Sequence, residues 1–188
     1  MIWELPDSVD ICGNSYSVNA DYRDVLAVIN QLNDPDEAES VNVYIAIAMF
    51  YTDYEEIPEA EYDVAAREMF KFINCGEEPE EESRPAVRKI DWEQDGLIIA
   101  ADINKNTSVD IRSAAFMHWW TFVSLFMSIG DGLLSTIVSI REKLRKGKPL
   151  DKWERDFYRE NKSRVDLKKH YSAEELEERE RMNRLLGD

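Results

Sequence analysis

From Tyr22 to Leu32 the apolar residues Tyr22, Val25, Leu26, Val28, Ile29 and Leu32 recur every three or four positions. That is the period of a helix with one buried face. Asn19 or Asp21 can cap its start, and Asn33-Asp34-Pro35 stops it. Just before it, in SVDICGNSYSV, Val9, Ile11, Tyr16 and Val18 lie in two short runs around Gly13-Asn14, a dipeptide suited to positive φ. The pattern predicts a small hairpin turning at Gly13-Asn14. In ESVNVYIAIAMFYTDY the β-branched residues and partial alternation allow a strand, but the length of the apolar run and Ala46, Ala48 and Met49 favour a buried helix. Pro58 and the acidic first turn Glu59/Glu61 open a further helix, with Tyr62, Ala65, Ala66, Met69, Phe70 and Ile73 on one face and Cys75-Gly76 at its close.

The pattern then lapses. EEPEEESRPAV holds two prolines, a glutamate cluster and little to bury, which reads as a solvated linker. It divides the chain into an acidic N-terminal part (residues 1–76), a linker (77–89) and a helical C-terminal part (90–188). IDWEQDGLIIAADINKN resumes as a helix, with Asp91 as N-cap and Trp92, Leu97, Ile98, Ala101 and Ile103 as apolar positions. The stretch Ala114 to Ile140, AAFMHWWTFVSLFMSIGDGLLSTIVSI, follows, and its sole formal charge is Asp131. Gly130-Asp131-Gly132 breaks it into two helices. KPLDKWERDFYREN and SAEELEERERMNRLLGD give two more, the last with a Ser172/Glu175 capping box, with Arg179, Arg181 and Arg184 toward its C-terminus, and with few apolar residues. The expected fold is mainly α: a multi-helix bundle with a small N-terminal β-hairpin.

Between Arg112 and Asp131 lie 18 uncharged residues, the bare minimum for a bilayer span. They include Ser113, His118, Thr121, Ser124 and Ser128, and the flanks lack basic asymmetry, so no membrane span is expected. A helix apolar nearly all round is otherwise a central core helix or one covered by a partner. Trp119 and Trp120 would point about 100° apart on it, so one is expected to face the core and the other a partner.

Charge changes the picture more than composition does. The net charge is −16, but residues 1–95 carry 24 Asp and Glu against 6 Lys and Arg, net −18, while residues 96–188 carry 15 against 17, net +2. So acidic a first half repels phosphate backbones, and no nucleic-acid partner is expected. The basic run REKLRKGK, Arg141 to Lys148, continues into alternating charge and reads as a salt-bridged, solvated helix face. Cys12 and Cys75 form neither a disulfide framework nor a metal set, and MIWELPDSVD lacks the pattern of a secretory signal, so a reducing compartment is expected. His118 and His170 stand apart with no ligand spacing around them. His118, beside two tryptophans, reads as a hydrogen-bonded core histidine. Phosphate loops, dinucleotide fingerprints and nucleophile elbows are missing. The expectation is a protein with no catalytic residues, no metal and no cofactor.

One set of residues carries more specific information. Ile90-Asp91-Trp92 with Asp95, LIIAADINKN, His118-Trp119-Trp120-Thr121-Phe122, and IVSIR from Ile137 to Arg141 together resemble the phage gene-product-fifteen family, small tail-region proteins of Gram-positive siphophages and prophages. The resemblance runs from DYRDVLAVINQLND to DLKKHYSAEELEERERMNRLL. It implies a position between the major tail protein and the tape measure, where tail assembly chaperones are encoded, and it offers no catalytic residue to transfer. The expected function is therefore a non-enzymatic tail assembly protein of the host cytoplasm that binds the tape measure protein or other tail proteins, with self-association possible. The alternatives are a structural tail component retained in the virion and an acidic DNA mimic that inhibits a host factor. His118, Trp119, Trp120, Phe122 and Arg141 are the candidate partner-binding or signature core residues.

Overall fold

The computed structural model describes residues 4–78, 88–107, 110–169 and 171–186. Most of the expected linker, residues 79–87, and His170 lie outside the described residues. The chain folds as two units. The first holds the described residues up to 78, together with His118–Trp120 and the C-terminal segment from Lys169; the second holds the described residues from 88 to Met117 and Thr121–Lys168. As the pattern predicts, the architecture is mainly α with one two-stranded antiparallel hairpin.

In the first unit, β1 (Ser8–Ile11) and β2 (Asn14–Ser17) pair with Val9 opposite Tyr16 and Ile11 opposite Asn14. The turn is therefore Cys12-Gly13, one residue earlier than the sequence implied. Both residues have positive φ, 51° and 91°, as a tight two-residue hairpin turn requires, and the Asp10 carboxylate accepts the Gly13 N–H at 3.0 Å. Helix α1 (Tyr22–Leu32) is capped by Asp21, whose side chain accepts from the Arg23 N–H. Helix α2 (Glu39–Phe50) packs on α1, and α3 (Tyr62–Ile73), entered through a 3-10 turn at Glu59–Glu61, packs on α2. The core is Ile11, Val25, Val28, Ile47, Phe50, Tyr51, Met69 and Phe72.

Between the hairpin and α1 the backbone runs extended and is used on both sides. Asn19 N–H donates to the Phe50 carbonyl and Thr52 N–H to the Ser17 carbonyl, while the Ala20 carbonyl accepts the Trp119 N–H. This is how a tripeptide distant in sequence, His118–Trp120, becomes part of the first unit. Helix α9 (Ala173–Leu186) follows the expected capping box, with Ser172 N–H on Glu175 at 2.9 Å and Glu175 N–H on Ser172 Oγ at 3.2 Å.

In the second unit, α4 (Gly96–Asn104) starts later than the sequence pattern indicated. Asp91 does accept two backbone N–H groups, from Glu93 and Gln94, but they cap a turn that precedes the helix. Ala114–Met117 is likewise not helical, and α5 (Trp119–Met127) begins only at Trp119, where His118 bridges to Asp21 and the Trp119 N–H donates to the Ala20 carbonyl. Helices α6 (Leu133–Arg145), α7 (Lys152–Glu160) and the short α8 (Lys162–Val165) complete the unit. Ile137, Ile140 and Val165 form its centre, with Ile98, Leu133, Leu150, Phe157 and Tyr158 packed around them.

Candidate functional site

Helix α3 ends in a Schellman arrangement, in which Cys75 N–H donates to Phe72 and Gly76 N–H to Lys71, with Cys75 at φ 57° and Gly76 at φ 91°. The turn supplies no donor to the Ile73 carbonyl and leaves the Phe72 carbonyl a second lone pair. Trp119 Nε1 donates to the Ile73 carbonyl and Trp120 Nε1 to the Phe72 carbonyl, both at 2.9 Å. Two successive indoles thus cap two successive carbonyls. Gly76 fits beneath them, since a Cβ there would lie 3.3 Å from the Trp120 ring.

His118 aims this pair. Its Nδ1 accepts the Trp120 N–H at 3.0 Å, capping α5, so its Nε2 carries the proton and donates to the Pro6 carbonyl at 2.9 Å. The ring packs against Phe72 and Trp120. His118 and Trp119 are buried and Trp120 is half-buried.

Phe122 and Arg141 belong to the second unit. Phe122 is buried beside Trp92, which also meets Phe126 at 5.0 Å. Arg141 is buried too, and all five guanidinium N–H groups have acceptors. Nε donates to the Val165 carbonyl, Nη1 to the Lys89 carbonyl and Asp95 Oδ2, and Nη2 to Asp95 Oδ1 and the Arg164 carbonyl, at 2.6–2.9 Å. One arginine thereby fastens the turn before α4, helix α6 and the end of α8. The fork-to-fork pairing with Asp95 supplies the countercharge that a buried guanidinium needs. Asp95 Oδ2 also accepts the Asp91 N–H at 3.0 Å. Gln94 extends the same seam, donating to the Asp166 carbonyl and accepting from the Lys168 N–H.

A family described as Bacteriophage Gp15 protein matches residues 1–167 of the 188. The chain belongs to that family. No curated protein and no solved structure matches it. All five candidate residues lie inside the matched range, whereas α9 lies beyond it. In this chain both centres are internal: their polar groups are spent on the chain's own backbone and, for Arg141, on Asp95, and they hold segments together.

Two further charged residues escaped the sequence reading. Asp102 is buried in α4, accepts the Leu134 N–H at 3.0 Å to cap α6, and pairs with Lys105. Gly132 permits this, since a Cβ there would sit 2.7 Å from the Asp102 carboxylate. Glu154, also buried, accepts two 2.7 Å bonds from Lys143 Nζ and one from the Asp151 N–H, and these hold its carboxyl below the usual range. The available signal was an aspartate inside the apolar run LIIAADIN, where a charge is tolerated only if partnered. Among the described residues no three His, Cys, Asp or Glu side chains converge as metal ligands, and no helix is long and apolar enough to cross a membrane.

Exposed apolar side chains lie elsewhere: singly at Leu97, Phe116, Met127 and Trp153 in the second unit and, in the first, along α2. That helix is apolar nearly all round; it buries Asn42, Ala46, Ile47 and Phe50 and leaves Val41 and Tyr44 exposed, with Ile45 and Ala48 partly covered. Tyr44 meets the Tyr62 ring at 5.8 Å. Burial, then the neighbouring Tyr44 and Glu59, raise the Tyr62 phenol above its ordinary value.

Proposed function

We propose that this protein is a non-enzymatic tail assembly factor that works in the bacterial host cytoplasm and covers apolar surface of the tape measure protein until the tail is built. Membership of the Bacteriophage Gp15 family supports a role in the phage cycle. The observation that carries the finer reading is the outer face of α2, where an exposed tyrosine and valine stand in an acidic unit. Apolar side chains exposed along one helix face suit a helical client, and a strongly negative carrier keeps the complex soluble. His118, Trp119 and Trp120 then serve as the internal brace of the unit that carries this face, and Arg141 and Phe122 as that of the other.

Co-expression with the tape measure protein of the same phage tests this reading. The expected result is a client that precipitates alone and co-purifies in soluble form with this protein, which is then missing from finished virions. Failure to co-purify, or stoichiometric retention in purified virions, would overturn it.

A further inference from the structure

The chemistry around α2 narrows what can sit on it, granted the assembly reading above. Val41, Tyr44, Ile45 and Ala48 follow the i, i+3, i+4, i+7 spacing, so they form one stripe two turns long, which Tyr62 widens beside Tyr44. Its surroundings are acidic. The 3-10 turn Tyr54–Glu56 packs on α2 with Glu55 exposed, and Glu59 lies near Tyr62. Residues 4–78 contain 18 Asp and Glu but only three cations, Arg23, Arg67 and Lys71. Each cation is already committed, to Asp21, to Glu68, and to Glu68 and Glu78 respectively. Among the described residues, Glu55 and Glu59 enter no ion pair.

We infer that the face takes a basic amphipathic helix of another chain, its apolar residues on Val41, Tyr44, Ile45 and Ala48 and its lysines or arginines on Glu55 and Glu59. Charge complementarity decides among occupants. A second copy placed by two-fold symmetry would set these carboxylates against one another. An anionic lipid surface or a nucleic acid would be repelled in the same way. A cationic helix gains both burial and countercharge, and its approach is steered by the field of the whole unit.

The test uses the full chain and a fluorescein-labelled 18-residue model peptide with leucine along one helical face and lysine on the other, read by fluorescence anisotropy. The control peptide keeps the leucine face and carries glutamate in place of lysine. Saturable binding is expected, weakened about tenfold or more by Tyr44→Ala, by Glu59→Lys and by exchange to the glutamate peptide. Tyr44 is half exposed, so its truncation leaves the fold intact, which circular dichroism verifies. Absence of binding, equal binding by Tyr44→Ala, or equal binding of the two peptides would overturn the inference. So would a dimer of the free chain that Tyr44→Ala dissolves. The two readings separate cleanly. If the tape measure protein co-purifies equally with wild type and Tyr44→Ala, the assembly role stands and this surface falls. If the lysine peptide binds as expected and the tape measure protein never co-purifies, the surface stands and its client is another basic helix.

Discussion

Replacing Asp95 by alanine removes the only carboxylate among the described residues that Arg141 contacts directly and leaves the guanidinium buried among carbonyls. Both side chains are nearly inaccessible, 1% exposed for Asp95 and 6% for Arg141, so water cannot substitute for the lost partner. Removing one partner of a buried pair costs about 3–5 kcal/mol, because the surviving charge has paid its desolvation without return. The Asp91 N–H also loses its acceptor. At about 2–4 °C per kcal/mol for a chain of this size, a loss of about 4 kcal/mol lowers Tm by about 8–16 °C. Arg141→Met strands the carboxylate instead and leaves the Lys89, Arg164 and Val165 carbonyls without this donor, so a similar loss is expected. The double variant Asp95→Ala/Arg141→Met contains neither orphan charge. It should therefore cost no more than the worse single variant, with a coupling energy of about 2 kcal/mol or more in a double-mutant cycle. Urea unfolding followed by tryptophan fluorescence gives all four corners. Additive losses, or an Asp95→Ala cost below about 1 kcal/mol, would refute the idea that the pair acts as one clamp.

Three other predictions follow from the same geometry. Trp119→Phe and Trp120→Phe keep most of the ring volume but delete the indole N–H, so each should cost about 1 kcal/mol in urea unfolding, against about 3–5 for Trp119→Ala. Gly132→Ala should destabilise by about 1–3 kcal/mol through its clash with Asp102, and the penalty should largely vanish in an Asp102→Ala background, where the close neighbour is gone. Hydrogen bonds from Arg145 and Lys146 hold the Glu142 carboxyl down to about 2, and Lys143 likewise lowers Glu154. The unfolded chain therefore binds these protons more readily than the folded one. The stabilisation is present in full above the ordinary glutamate value and is lost as pH falls from about 4.5 toward 2. Thermal melts across that window should show it, and Glu142→Gln should flatten the acid limb.

Helix-forming periodicity made much of this fold legible. Tyr22 to Leu32 and Tyr62 to Ile73 each follow a single-faced pattern, and Asp21, Ser172 and Cys75-Gly76 mark ends with local chemistry that needs no tertiary information. The start of α5 was not legible. An apolar run without breakers reads as helix, yet the backbone at His118 and Trp119 pairs with an extended segment about 100 residues earlier, a long-range contact that local preference does not encode. The tryptophans show the same limit. Their 100° separation predicted two destinations, but both indole N–H groups reach the end of one helix, where successive carbonyls themselves diverge. Arg141 stood out as part of IVSIR, yet its five bonds tie α6 to two other chain segments, and only the folded chain shows them together.

We propose above that a client helix lies on the outer face of α2. Site-specific photocrosslinking tests it most directly, with a benzophenone amino acid at Tyr44 and, as a control, at exposed Arg155, in cells producing phage tails. A crosslink is expected from position 44 to the tape measure protein and none to it from position 155. Capture of that protein equally from both positions, or no capture from position 44, would contradict it.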